Sequence, residues 1–384
     1  MSSPRKRTRR KGNVLVLSVV LMAAMFAFLA FAVDVGYLSV VRSELQRTAD
    51  ASAIAAAWEL LDAEALTGGD SSQFMEDNAR TLAEQYANLN VVMGNGMGLA
   101  QQDVAVGYLA NPFDRLAEVD FNSESSPNAV QVSVRKTSNQ NGAVPFFFAR
   151  ILGYDDTAMH AEATAVLLKN FNGFRAPSSG ENLQMLPFAL DLYTWQKMWE
   201  DLANGTAEDN WYWNDQTHEV QPGSDGIPEV NLFPQGTGSP GNRGTVDIGS
   251  SNNSTADIAR QILEGISADD LAYHGGKLEF GPDGTLVLNG DTGISAGVKD
   301  ELAAIRGQTR IIPVFNGVVG PGNNAQYTIV RPFVSIRIME VKLTGNMNNK
   351  RVIIQPADLI TQGGIPATGE QSSQFIYSPV WLVR

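Results

Sequence analysis

The chain has no cysteine, only three histidines, and no charged residue between Asn13 and Val33. Without cysteine there is no disulfide framework, no thiol nucleophile, no iron–sulfur cluster and no thiolate zinc site. His160, His218 and His274 lie far apart in the sequence, so a histidine base or a histidine metal site has few candidates. The sequence also lacks G-x-S-x-G, H-E-x-x-H, a phosphate loop with its lysine and a dinucleotide fingerprint. No fixed-period repeat is visible. Acidic residues are absent from the first 33 positions, which hold six of the 28 lysines and arginines. The remainder carries 22 basic against 41 acidic residues, a net of −19. So acidic a surface repels nucleic acid and anionic headgroups, which argues against nucleic-acid binding.

What is present starts with a basic cluster, Arg5, Lys6, Arg7, Arg9, Arg10 and Lys11, followed by the uncharged run. About 20 apolar residues let a helix cross about 30 Å of hydrocarbon. Cations on one side keep that side cytoplasmic. The expected arrangement is a cytoplasmic tail over 1–12, a transmembrane helix over 13–33 in the lipid bilayer, and export of 34–384. An alternative is a signal peptide cleaved after Ala32, since Ala30-Phe31-Ala32 has the small-x-small form of a cleavage site. The run exceeds a signal peptide's roughly 7–15 apolar residues. Val35, Leu38, Val41 and Leu45 also continue a helical stripe with no breaker. Both features favour an uncleaved anchor. Ala23/Ala27 and Ala32/Gly36 have the small-xxx-small spacing that lets spans approach closely, or they are lipid-facing filler.

Beyond Asp34 the alanine-rich stretch through Ala57 predicts that the helix continues to about Leu66, offering a smooth face for close packing. Ser71 or Ser72 caps a second helix to about Asn88. The period then becomes two in DVAVGYL (103–109) and NAVQVSVRK (128–136), with a further strand over 157–168. Pro145 and the following FFFARIL suggest a short helix. These elements make an exported α+β unit over 34–169. An irregular, aromatic-rich connection is expected over 170–228, with a helix within 187–202. A C-terminal β-rich unit follows over 229–384. The fold class is α+β, with a mostly antiparallel β-rich exported region and several helices. In VSIRIMEVKL the apolar face switches near Met339, which predicts a bulge or bend.

Candidate chemistry is thin. Asp247-Ile-Gly-Ser-Ser resembles a von Willebrand A metal motif, but Gly249 replaces its central serine. Asp283, Gly284, Asp291 and Gly293 offer oxygen ligands without EF-hand spacing, and Asp-Gly pairs between short strands read better as hairpin turns, as do Asp225-Gly226 and Asn204-Gly205. Asp269 and Asp270 suit the first turn of a helix after Ser267. Trp211, Tyr212 and Trp213 offer a stacking surface or fold inward as a small core. No cofactor or metal is expected.

The ordered set Arg9, Arg10, Gly12, the apolar span, Val33-Asp34-Val35-Gly36, Leu45-Gln46 and Ala49-Asp50-Ala51 resembles the N-terminal module of tight-adherence (Flp) pilus assembly proteins of TadG and TadE type. GNRGTVDIG and SAGVKDELAAIRGQTRIIPVF resemble their exported parts more loosely. The resemblance implies a non-enzymatic, single-pass component of pilus assembly or surface attachment in the bacterial cytoplasmic membrane, with pilus or envelope proteins as partners. TadE-type proteins are processed after a glycine and carry glutamate at the fifth mature position. Here that position is Leu17, so the resemblance points to an assembly factor rather than a pilin subunit.

Overall fold

The computed structural model describes residues 13–383 apart from 62–63, 70–71, 115, 124, 233–242, 293–295, 321–323, 347–348 and 368–370. The basic cluster Arg5 to Lys11 and Gly12 of the motif lie outside the described residues.

One helix, α1 (Asn13–Trp58), carries the apolar run and its alanine-rich continuation without a break. It stops at Trp58, short of the expected Leu66, and a 3₁₀ turn over Glu64–Thr67 follows. The second helix, α2 (Ser72–Leu89), lies where the sequence placed it. Ala79, Ala83 and Ala87, four residues apart on α2, are fully buried in one cluster with Leu45, Ala49, Ala53, Ala56 and Leu60 of α1 and its end. Small side chains at this spacing bring the two helix axes close.

The same cluster joins α1 to the first sheet, whose antiparallel order is Val104–Gly107, Ala129–Lys136, Met159–Val166 and Trp381–Leu382. Val130, Val132 and Val134 alternate into the core, as period-two strands do. The last strand comes from the end of the chain, so the C-terminus returns to the N-terminal sheet.

The second sheet is larger. Five of its strands close into a ring in the order Phe188–Asp191, Arg243–Val246, Thr285–Thr292, Ala325–Lys342 and Thr309–Val319, the last pairing back to the first in parallel. Both faces contribute to buried clusters. Ala189, Ile311 and Phe315 enter one cluster, while Phe188, Leu190, Ile312 and Val314 enter another. The second is covered by α3 (Leu192–Ala203), α4 (Thr255–Glu264) and α6 (Lys299–Ala304). The short α5 (Ala268–Ala272) lies between α4 and α6 in sequence. The molecule is thus α+β, a long apolar helix followed by mostly antiparallel strands and further helices.

Residues 170–228, expected as an irregular connection, are more regular than that. They hold the strands Phe171–Arg175 and Phe188–Asp191, then α3, then a hairpin of Trp211–Asn214 with Glu219–Pro222. The helix expected within 187–202 is α3, preceded by the strand Phe188–Asp191, and Asp191 caps it by accepting the Thr194 N–H at 2.9 Å.

Candidate functional site

The feature that sets this molecule apart is the place where α1 leaves its bare segment and enters the fold. Val14 is 76% exposed and Val33 is 48% exposed, whereas Val41 and Leu45 are 1% and 0% exposed. Asp34 stands at the changeover and is itself buried. Its Oδ1 accepts the N–H of Phe147 at 2.8 Å and its Oδ2 accepts that of Ala149 at 2.8 Å, with Phe148 N–H 3.2 Å from both oxygens. These donors open a 3₁₀ turn over Ala149–Leu152, the short helix expected after Pro145. A carboxylate at the start of such a turn satisfies N–H groups that have no partner inside it and complements their aligned dipoles. Tyr37, one turn further along α1, meets Phe147 edge to face with ring centroids 4.8 Å apart.

The remaining motif residues occupy two environments. Val33, Val35 and Gly36 are exposed, and a Cβ added at Gly36 would meet nothing within 4 Å. Leu45 and Ala49 are fully buried in the first core. Gln46 Nε2 donates to Asp50 Oδ1 at 2.8 Å and to the Glu162 carbonyl at 3.0 Å, tying α1 to the strand Met159–Val166. Ala51 is half-buried. Beside them Glu44 Oε2 accepts the Met93 N–H at 2.8 Å, and the Thr48 hydroxyl donates to the Asn90 carbonyl at 2.9 Å, which fixes the end of α2. The stretch from Asp34 to Ala51 therefore acts as a splint. It joins α1 to the 146–154 loop, the first sheet and α2.

The other candidates are dispersed. Asp283 closes a turn by accepting from Thr285 N–H and hydroxyl, and Gly284 there has φ +75°. Asp291 lies at the far end of the strand Thr285–Thr292, and Gly293 lies outside the described residues. Asp247 is buried beside Asp291, and burial pushes its carboxyl above the usual range. It accepts the Asn253 N–H at 2.9 Å, which braces the turn leading into α4. Among the described residues no group of three or more histidines, aspartates or glutamates is placed to hold a metal ion. Ser267 caps α5 with Asp269 and Asp270 in its first turn, and Asp270 also accepts from Arg260 at 2.7 Å.

The aromatic hairpin folds inward. Trp211 and Trp213 pack with Val220, Met339 and Ile353 against the back of the long strand, with the Arg337 guanidinium 4.3 Å from the Trp213 ring centre.

The partner of Asp34 was not foreseen from the sequence. The available signal was the run Phe146, Phe147, Phe148 with Ile151 and Leu152, too apolar for an ordinary exposed turn.

Residues 12–59 match the family model described as Flp pilus-assembly TadE/G-like, and residues 55–165 match the one described as Tad-like Flp pilus-assembly. The two matches together run from the foot of α1 to the strand Met159–Val166, the part of the chain built around the splint. No curated protein and no solved structure matches the chain.

Proposed function

We propose, from the match of residues 12–165 to the Tad-like and TadE/G-like Flp pilus-assembly models, that the chain is a membrane-anchored, non-enzymatic assembly component. In this reading α1 holds it in the bacterial cytoplasmic membrane with the N-terminus inside. The acidic α+β body stands outside, where it contacts pilus or envelope proteins.

The observation that carries the reading is the step in burial along α1. Residues 14–33 form an unbroken apolar helix whose side chains touch almost nothing else, and the same helix is locked into the core from Val41 onward. An apolar surface of that extent is stable in lipid and not in water. Twenty residues at 1.5 Å each give about 30 Å, the hydrocarbon thickness.

Release by cleavage after Ala32 is the competing reading. Against it, Ala30 to Ala32 lie within continuous helix, and Asp34, two residues on, is tied to the body.

The test is to extract the full chain from membranes with detergent and identify what co-purifies. Enrichment of pilus machinery is the expected result, and recovery of the chain alone would sink the assembly role. Carbonate-washed membranes should retain the protein with its N-terminal segment intact. A soluble form beginning at Val33 would overturn the anchor.

A further inference from the structure

The loop 146–154 carries a surface that the anchor alone does not explain. Phe147, Phe148, Ile151, Leu152 and Tyr154 are all exposed, Ile151 and Leu152 at 80% and 78%. Such a cluster in water costs free energy without return. It lies beside α1 at the end of the bare segment. An open groove of about 690 Å³ separates Phe26, Ala30 and Val33 of the helix from Phe148, Ile151 and Leu152 of the loop. Phe26 is eight residues before Asp34, about 12 Å along the helix axis. A loop that lines one groove with Ala30 and Val33 therefore extends toward the outer part of the bare segment, with Phe26 at the groove's deeper end.

From this we infer that the loop 146–154 is a second membrane contact, which inserts Ile151 and Leu152 into the outer leaflet beside the anchor. The inference rests on the reading of α1 as a membrane span. Three features of the loop suit lipid in particular. First, six of its backbone N–H groups have partners within the protein, which lowers the cost of entering hydrocarbon. Asp34 takes the N–H groups of residues 147–149, and Ile151, Gly153 and Tyr154 donate to carbonyls within the loop. Second, the residues are ordered by polarity. Tyr154 and the phenylalanines suit the interface, the exposed Arg150 donates from Nε to the Phe146 carbonyl and keeps its remaining N–H groups for the headgroups, and Asp155 and Asp156 return the chain to water. Third, the loop is continuous with the apolar surface of α1, so one bilayer covers both.

Two attachments fix more than one does. A single helix leaves the body free to swing and to rotate about the membrane normal. A loop held to Asp34 and sunk in the leaflet sets its tilt and height, and so presents one face of the body outward.

The absence of cysteine makes the test direct. Leu152→Cys, Phe26→Cys and Val287→Cys, each in the full-length chain, are labelled with an environment-sensitive fluorophore and reconstituted in vesicles. Ile151→Cys repeats the loop measurement at the neighbouring position. The expected result is blue-shifted emission at residues 152 and 151, quenched by a lipid with its spin label near the headgroup and protected from aqueous iodide. Phe26→Cys should respond to a deeper spin label, and Val287→Cys to iodide. A loop label quenched by iodide while the Phe26 label stays in lipid would overturn the inference and leave the anchor standing. A loop label shielded from both quenchers would also overturn it, since a protein would then cover the loop. A Phe26 label open to iodide would instead refute the anchor itself.

Discussion

Asp34 on α1 and Ala149 in the loop, 115 residues apart in sequence, meet through a 2.8 Å hydrogen bond from the Ala149 N–H to the carboxylate. The charge that ends the apolar run is therefore not simply turned to water. It organises a distant loop beside the end of the bare segment of α1. Asp34→Ala removes an acceptor shared by three backbone donors, so the loop should open more often. Amide hydrogen exchange at Phe147 to Ala149 should accelerate about tenfold or more, with α2 and the second sheet unchanged. Asp34→Asn keeps one acceptor oxygen and should fall between the two. Unchanged exchange in Asp34→Ala would show that packing alone holds the loop.

The alanine faces of α1 and α2 make a second prediction. Ala83 is fully buried, and a larger residue there has no space without pushing the helices apart. Ala83→Leu should destabilise the body by about 1–3 kcal/mol. Thr81→Leu, on the exposed side of the same helix, should change stability by less than about 0.5 kcal/mol. Thermal or denaturant unfolding of the detergent-solubilised chain measures both, and equal effects at the two positions would refute the close packing.

Local signals carried far in this sequence. The extent of the apolar helix, the Ser267 cap with Asp269 and Asp270, and the turn at Asp283-Gly284 all follow from residues within a few positions of one another. The bulge at Met339 was legible for the same reason. Ile338 pairs with Ile354 and Glu340 with Ile353, so Met339 is the extra residue. Val334, Ile336 and Ile338 before it and Val341 and Leu343 after it reach the same cluster, while Met339 faces the opposite side. What stayed hidden depends on distant partners. Nothing local tells Trp381–Leu382 to join the first sheet, or Phe188–Asp191 to be a strand when the helical pattern begins just after it. The hairpin Trp211–Asn214/Glu219–Pro222 was masked by its Asn and Asp content and the Gly-rich stretch after it, and it is ordered by contacts with a strand more than a hundred residues later. The hold of Asp34 on the loop 146–154 belongs to the same class.

Gly307 gives a sharp test of how that hairpin is seated. Its φ is +84°, and a Cβ there would overlap the Trp213 ring. Its carbonyl also accepts from Arg337 Nη1 at 2.7 Å, beneath the same indole. Gly307→Ala should therefore combine backbone strain with displacement of Trp213, costing about 2 kcal/mol or more. Tryptophan emission should shift to the red as the ring moves toward water. A variant with wild-type emission and stability would show that the hairpin does not rest on this glycine.

Glu229 supplies the pH dependence. It is buried at the base of the hairpin, where its carboxylate accepts the Trp211 N–H at 2.7 Å. Burial, reinforced by Asp209 and Asp225 nearby, pushes its pKa up to about 7 from 4.5, against the pull of the backbone N–H groups of Asn210 and Trp211. A carboxyl whose folded pKa is raised binds its proton more tightly when folded. Below about pH 4.5 both states are protonated and the group is neutral in the balance. Between pH 4.5 and 7 the unfolded chain ionises while the folded chain does not, so stability falls as pH rises through this window and then levels off. The loss is on the order of 1–3 kcal/mol. Glu229→Gln keeps an acceptor for Trp211 and carries no charge. It should remove most of the slope between pH 5 and 7 and unfold later than wild type at pH 8, as melting temperatures across that range would record. If the slope persists in Glu229→Gln, the titration belongs to other carboxylates, and Asp225, also pushed upward by burial, is the next position to change.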